Sequence, residues 1–432
     1  MAFFGTDGIR GIAGQDLTAR TAFALGNALV RTKRGARIVL GRDTRVSSDM
    51  LALALAAGAA AGGGIVLDGG VLPTAAVSFF VRREGADYGV VVSASHNPPE
   101  YNGLKVFGAD GRKLADEEEG KLERLFGKDL FAPSLHSGRR VPLRERNGYA
   151  DYLVSCCGVP LAGKTFVLDC ANGAAGAFAP RVFRRLGARV VALNCRADGR
   201  HVNENCGALH PNRMRRAVVA AGADAGFCYD GDADRLIAAD EEGKLVDGDK
   251  LLYIFARERK ARGKLPHDLA VGTAHTNTGA ERALAACGIA LARTDVGDKY
   301  VAAYMAKSGA AVGGEQSGHL ILADLAATGD GILASVVLAG LTAREKLSDL
   351  ANVRLLPQYN VSVKVKDKTR VLGNEEVRAE IERAQAAAGV ARLVVRASGT
   401  EPVIRVFAEA ERMRTARTAA ERVRAAIAAR EE

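Results

Sequence analysis

The chain has 432 residues, 48% of them hydrophobic and 25% charged, with a mean hydropathy near zero. That balance excludes a disordered chain, and at about 150 residues per domain the length predicts three or four compact units. The 60 Lys and Arg against 50 Asp and Glu leave a net charge of +10, which favours anionic partners in general: phosphosugars, nucleotides or nucleic acids.

From Thr18 onward, helix-like and strand-like segments alternate. The pattern predicts a helix near 18–34, a strand over 36–41, a helix over 48–61, a strand over 65–68, a helix over 72–84 and a strand over 87–93. The uncharged stretch 50–67 has 18 residues but is mostly Ala and is broken at Gly58 and at 62–64. It predicts a buried helix, a glycine turn and a short strand rather than a membrane span. Alternation resumes after about residue 148, with strands over 165–169, 188–193 and 224–230 and helices over 177–186 and 212–221. A third round, starting near Lys250, has helices over 249–262, 278–287, 298–307 and 330–347 and strands over 269–273, 289–294 and 310–314. Beyond Pro357 the order becomes strand 359–365, helix 375–388, strands 392–397 and 402–410, and helix 415–430. The expected fold class is therefore α/β: three α/β domains with mixed, largely parallel sheets (1–147, 148–248 and 249–356) plus a smaller C-terminal α+β domain of βαββα order (357–432).

Seven cysteines, an odd number with no CxxC pair, suggest neither a disulfide framework nor a zinc ribbon. The opening MAFFGTDGIRG places Asp7 and glycines where a leader needs an apolar run, so a cytoplasmic location is expected. Basic clusters such as Arg213, Arg215 and Arg216 fall on predicted helices and read as solvated faces. Tryptophan is absent and aromatics are 5%, which argues against nucleic-acid recognition by stacking.

Four polar, glycine-containing loops follow predicted strands, where α/β sheets bind ligands. In Ser93-Ala94-Ser95-His96-Asn97-Pro98-Pro99 the prolines end regular structure, and no GxSxG elbow supports a Ser-His-Asp hydrolase. A phosphate-carrying Ser95 with Lys105 nearby is the other reading. Asp230-Gly231-Asp232-Ala233-Asp234-Arg235 sets three carboxylates at alternate positions, a donor set for a hard divalent cation. It is not an EF-hand, because Arg235 stands where the sharp turn needs Gly and the flanks read as strands. In Gly313-Gly314-Glu315-Gln316-Ser317-Gly318-His319, the Glu, Ser and His can hydrogen-bond sugar hydroxyls or amino groups. Arg396-Ala397-Ser398-Gly399-Thr400-Glu401-Pro402, with Arg405 beyond, combines hydroxyls, a glycine and two guanidinium forks into a phosphate clamp. Gly5-Thr6-Asp7-Gly8-Ile9-Arg10-Gly11 adds one more arginine in a glycine-rich loop.

In this order and spacing, FGTDGIRG, SASHNP, HVNENCGALHP, DGDADR, VGDKYV, GEQSGH and RASGTEPVIRV resemble the α-D-phosphohexomutase superfamily over essentially the whole chain, and within it the glucosamine-type subgroup. The resemblance implies four domains around a central cleft. It also implies an enzyme, an intramolecular phosphotransferase interconverting glucosamine 6-phosphate and glucosamine 1-phosphate through a phosphoserine and a sugar 1,6-bisphosphate, and so feeding UDP-N-acetylglucosamine synthesis. The alternatives are a phosphoglucomutase/phosphomannomutase or an inert sugar-phosphate sensor. By the same resemblance Ser95 carries the phosphoryl group. Asp230, Asp232 and Asp234 hold one Mg²⁺ together with a phosphoserine oxygen, and Arg10, His96, Lys105 and Arg235 surround the phosphoserine. Lys105 is the first choice for moving the sugar proton and His319 the second. Glu315, Ser317 and Lys299 would bind the sugar, and Arg396, Ser398, Gly399, Thr400 and Arg405 the non-reacting phosphate. The expected partners are a small-molecule phosphosugar and at most a second copy in a homodimer, with neither nucleic acid nor membrane. Gln316, where related mutases usually have Met, is the specificity signal. Ala233 and Ser48 stand where the family commonly has Gly, and Lys299 where Arg is usual.

Overall fold

The computed structural model describes residues 4–5, 7–126, 137–398 and 402–431. They form two compact units: residues 1–275 with 289–352, and residues 276–288 with 353–432.

The first unit carries three sheets. The first sheet has the strand order Ile9–Ile12, Tyr101–Gly108, Tyr88–Val92, Arg37–Arg42, Ile65–Val71, Arg139–Pro142. Its middle is parallel, and the pairings of Tyr101–Gly108 with both neighbours are antiparallel. The second runs Leu245–Val246, Ile237–Ala239, Ala225–Cys228, Thr165–Asp169, Arg189–Leu193, and the third Ala290–Thr294, Leu269–Thr273, Val312–Gly314, Leu320–Leu322. Each has a parallel part and an antiparallel edge. The parallel strands are buried apolar runs, as Ile38, Val39 and Leu40 or Val90, Val91 and Val92 illustrate, which is what a sheet covered on both faces requires. Among the described residues, no helix is long and apolar enough to cross a membrane. The stretch 50–67 divides as expected into helix Val46–Ala61, a glycine turn and strand Ile65–Val71.

In the second unit, Gln358–Lys364, Val403–Ala410 and Val390–Ala397 make an antiparallel sheet in that order. Helices Glu375–Gln385 and Met413–Ala428 bury Val377, Ala384, Ala420 and Val423 against it. This is the small α+β fold expected, with one added helical turn at Lys368–Gly373. Helix Thr278–Ala286, which chain order places in the third round, belongs to this unit.

Several features depart from the periodicity. The expected helix over 330–347 ends at Thr342, and Leu347–Leu350 forms a separate turn. Lys346 takes an extended conformation between them, which lets both Leu347 and Leu350 be buried. Strand Tyr101–Gly108 follows the double proline directly, too closely for an apolar run to announce it. Helices Asp116–Phe126 and Asn147–Cys156 also went unpredicted. The latter joins helix Gly331–Thr342 through Tyr149 Oη, which donates to Asp330 Oδ2 at 2.8 Å.

Helices Ala19–Thr32 and Val46–Ala61 cross at glycine. A Cβ on Gly58 would collide with the carbonyl of Phe23, and one on Gly26 with that of Leu55. By helix propensity alone, Gly58→Ala stabilises by about 1 kcal/mol. Here the collision reverses the sign, and denaturant unfolding should show a loss of about 1–3 kcal/mol; an unchanged or higher midpoint would contradict the crossing.

Candidate active site

Parallel strands Arg37–Arg42 and Tyr88–Val92 pair with Arg42 opposite Val92, so the segments leaving their C-terminal ends, Asp43-Thr44-Arg45 and Ser93-Ala94-Ser95, meet. The Asp43 carboxylate accepts from Ser93 Oγ (2.6 Å), Ser48 Oγ (2.7 Å), Arg45 N (3.0 Å) and Arg45 Nε (2.8 Å). Arg45 is buried and spends its remaining donors on carbonyls of the serine loop: Ser95 (2.9 Å), Asn97 (2.7 Å), Tyr101 (2.9 Å) and Pro98. Asn203 Nδ2 donates to two of the same carbonyls, Ser95 (2.8 Å) and Asn97 (3.1 Å). These bonds hold Ser95 at φ +52°, a left-handed conformation that a non-glycine residue keeps only when its surroundings impose it. Ser48, the expected departure from Gly, is used here: it donates to Asp43 and accepts from Asn102 Nδ2 at 3.0 Å.

Opposite Ser95 lies the acidic loop between strands Ala225–Cys228 and Ile237–Ala239. Asp230, Asp232 and Asp234 are buried, with one carboxylate oxygen from each lying within 4.8 Å of the others. Ser95 Oγ donates to Asp230 Oδ2 at 2.5 Å. Thr74 Oγ1 donates to Asp232 Oδ2 at 2.6 Å, and Lys105 Nζ sits 2.9 Å from both Asp232 Oδ2 and Asp234 Oδ2. Burial, then Asp234 and Asp232, push the Asp230 carboxyl well up. Burial also opposes charge on Asp234, but Lys105 and His319 outweigh it and hold that carboxyl well down. Burial likewise disfavours the Lys105 ammonium, yet Asp232, Asp234 and Asp7 keep it charged far above its ordinary range. Among the described residues, Asp232 Oδ1 and Asp234 Oδ1 are buried without a hydrogen-bond partner. Two orphaned oxygens in an all-carboxylate set fit a hard divalent cation. Ala233, where glycine was the family's expected residue, adopts φ +59°, at a cost on the order of 1 kcal/mol for a residue with a Cβ.

Arg10 Nη1 donates to Asn97 Oδ1 at 3.2 Å, and its guanidinium pairs with Asp7. His96 Nδ1 lies 3.3 Å from Ser95 Oγ. Burial, then Arg235 and Arg10, lower its pKa to about 4, so the imidazole is neutral at pH 7. Arg235 N donates to Asp230 Oδ1 at 3.2 Å.

The GEQSGH segment closes on itself, Glu315 N donating to His319 O (3.0 Å) and Gly318 N to Glu315 O (2.9 Å), and joins the acidic loop through Leu236 N to Gly318 O (2.9 Å). His319 is buried, with Nδ1 3.7 Å from Asp234 Oδ2 and Nε2 3.5 Å from Asp298 Oδ2. Burial disfavours its charge, but the two carboxylates win and raise its pKa. Glu315 Oε1 accepts from Gly297 N at 3.1 Å, and Ser317 Oγ is buried without a partner. Lys299 lines one cavity with His319 and Asp298, with its ammonium bound to Asp116 Oδ1 at 2.8 Å. Gln316 Nε2 faces Asp247 Oδ2, the N-cap of helix Gly248–Ala261, at 3.5 Å. In the second unit, Arg396 pairs directly opposite Arg405, and Arg405 opposite Ser362, so the two guanidinium side chains leave one face of the sheet together. Ser398 N donates to Val403 O at 2.9 Å, while Gly399 and Thr400 lie outside the described residues.

Sequence reasoning missed Asp43, Arg45, Thr74, Lys113, Asn203 and Asp298 as site residues. Arg45 and Asp43 carried a signal, a charged pair directly after a buried strand; Lys113 carried none.

Four families match in turn: phosphoglucomutase/phosphomannomutase alpha/beta/alpha domain I over residues 1–132, domain II over 147–243, domain III over 247–357, and the C-terminal domain over 360–426. The phosphoglucosamine mutase of Symbiobacterium thermophilum is 48% identical over 421 residues, covering 94% of each chain. Among solved structures, a phosphoglucomutase/phosphomannomutase family protein from Burkholderia thailandensis superposes with a TM-score of 0.83 at 26% identity, over 99% of this chain and 97% of that one. The N-acetylphosphoglucosamine mutase of Aspergillus fumigatus, solved with GlcNAc-6P and magnesium, shares the fold with a TM-score of 0.70 at 18% identity, over 99% and 96%.

Removing one partner of the buried Asp43–Arg45 pair leaves the other uncompensated. Arg45→Met should therefore lower the unfolding free energy by about 3–5 kcal/mol, and Arg45→Lys by less, since it keeps the charge but not the fork. A denaturation midpoint for Arg45→Met equal to that of the parent would refute the clamp.

Proposed function

The chain belongs to the phosphoglucomutase/phosphomannomutase family, and from that membership we propose that it acts as a phosphoglucosamine mutase, interconverting glucosamine 6-phosphate and glucosamine 1-phosphate. The observation that carries the chemistry is the Ser95 hydroxyl 2.5 Å from Asp230, at the edge of three buried carboxylates. The identity to phosphoglucosamine mutases over nearly the whole chain supports the amino sugar as substrate. The location proposed is the cytoplasm.

In this reading Ser95 carries the phosphoryl group. Asp230, Asp232 and Asp234 hold one Mg²⁺, which when bound offsets the charge of carboxylates and phosphate and draws electron density from the group being transferred. Arg10, Lys105 and Arg235 supply the fixed positive charge around the phosphoserine, and His96 offers Ser95 a neutral hydrogen-bond partner. In the forward step the free hydroxyl of the sugar monophosphate attacks phosphorus, the P–Oγ bond of Ser95 breaks and a sugar 1,6-bisphosphate forms. His319 takes the hydroxyl proton. His319 lines a cavity of about 370 Å³ that a substrate can enter, whereas the Lys105 ammonium is buried and bound to Asp232 and Asp234. Glu315 and the partnerless Ser317 hydroxyl take sugar hydroxyls, and Lys299 stands at the margin, tied to Asp116. Arg396 and Arg405, with Ser398, Gly399 and Thr400, take the phosphate that does not react. The bisphosphate then reorients, and Ser95 Oγ attacks the phosphorus of the other phosphate. The bond from that phosphorus to the sugar oxygen breaks and the freed oxygen takes back the proton from His319, so Ser95 is rephosphorylated and net phosphate is unchanged.

The test is a coupled assay of glucosamine 1-phosphate formation from glucosamine 6-phosphate, with Mg²⁺ and glucose 1,6-bisphosphate as primer and glucose and mannose phosphates in parallel. Preference for the amino sugar is expected, and preference for glucose or mannose phosphate would replace the substrate while keeping the chemistry. Ser95→Ala should be folded and without turnover; full activity would sink the covalent route. Mg²⁺ at about 100 times its Kd should stabilise the protein by about 2.7 kcal/mol, and Asp232→Asn should lose most of that shift in the thermal midpoint.

A further inference from the structure

We propose that Lys113, Asp298 and Gly329 are positioning residues that fix the His319 imidazole for proton transfer at the sugar hydroxyl, an inference that rests on the mutase reading above. His319 is one member of a closed ring in which carboxylates and basic side chains alternate. Asp234 faces His319 Nδ1 at 3.7 Å, and Asp298 faces Nε2 at 3.5 Å. Asp298 pairs with Lys113, Lys113 with Asp7, and Asp7 Oδ2 lies 3.5 Å from Lys105 Nζ, which returns to Asp234 at 2.9 Å.

Neither contact to His319 is a short hydrogen bond, so the ring is aimed by the field of two carboxylates, and only as well as those carboxylates are held. Asp234 is fixed by Lys105. Asp298 is the first residue of helix Asp298–Ser308, and it borders a cavity of about 370 Å³ that is also lined by Lys113, His319, Tyr300, Ala303 and Ile321. On that face the cavity, which Lys299 and Asp116 also line, takes the place of packed core around Asp298, so ion pairing has to hold its carboxylate. Lys113 supplies that pairing. Its backbone is anchored by a bridge to Phe107, and the tight turn before it is closed by Gly108 N donating to Arg112 O at 2.8 Å.

The remaining face of the imidazole rests on Gly329. A Cβ there would overlap the imidazole: the three nearest atoms, Nε2, Cε1 and Cδ2, all belong to His319. Gly329 does not have positive φ, so alanine suits the backbone and its methyl would act on the imidazole alone. A steric change and a charge change, at residues far apart in sequence, therefore address the same ring.

The experiment compares Lys113→Met, Lys113→Arg and Gly329→Ala with the parent on glucosamine 6-phosphate. It also measures Mn²⁺ binding to the metal-free protein by electron paramagnetic resonance, and the thermal midpoint. Lys113→Met and Gly329→Ala should each lower kcat by about tenfold or more, the scale of a displaced acid–base group, with KM within about threefold. Lys113→Arg should recover at least about a third of kcat, and Mn²⁺ affinity should stay within about threefold throughout. A kcat within about twofold of the parent in both Lys113→Met and Gly329→Ala would overturn the inference, as would a fall in Mn²⁺ affinity and midpoint in step with kcat, which marks a purely structural role. A parent protein that turns over no hexose phosphate overturns the mutase reading and this inference with it. Turnover by the parent with unimpaired variants overturns the inference alone.

Discussion

Three carboxylates buried within 4.8 Å of one another set the constraint that the first unit is built to satisfy. Like charges at that distance in a medium poorer than water repel by several kcal/mol, so the loop holds its shape only if positive charge is delivered to it. Lys105 brings an ammonium from strand Tyr101–Gly108, Arg235 a backbone N–H from the loop's own end, and His319 an imidazole from the turn after Val312–Gly314. The surplus that these leave, two carboxylate oxygens without a partner, is where a divalent cation fits.

Sheet geometry explains how groups so far apart in sequence converge. In the parallel parts of the sheets the C-terminal ends of neighbouring strands point the same way, so Asp43, Ser95 and the acidic loop emerge at strand ends. Arg45 then converts nearness into rigidity: a single buried guanidinium satisfies four carbonyls of the serine loop while its charge is met by Asp43. Ser95, Asn203 and Ala233, three of the left-handed non-glycine residues, belong to this arrangement. Strain of that kind is held in place by the bonds around it and keeps the reacting oxygen aimed.

How much was legible follows from what periodicity encodes. Strands such as Thr165–Asp169 and helices such as Asn212–Ala221 are read directly, because their apolar spacing reflects a buried face. The helix expected over 330–347 was overrun because Ala343 to Lys346 contain no glycine or proline to mark its end; only the need to bury Leu347 and Leu350 breaks it. Strand Tyr101–Gly108 was hidden by the prolines before it and the lysine within it. Ser95, the three aspartates, His96 and His319 were singled out by loop chemistry together with the family resemblance, and the structure sets them close to one another. Lys299 came from the same resemblance, and the structure sets it on a cavity shared with His319, its ammonium paired with Asp116.

By itself the sequence determined the α/β character of the first three rounds, the smaller α+β unit, the family, and which loops carry carboxylate, hydroxyl and guanidinium groups, since hydrophobic spacing and local motif chemistry are properties of neighbouring residues. Only the tertiary structure decided which of those groups share a charge balance. The ring from Asp234 through His319, Asp298, Lys113, Asp7 and Lys105 joins side chains up to 312 positions apart (Asp7 to His319). Electrostatic pairing depends on distance through space and on burial, neither of which is written in the order of residues along the chain.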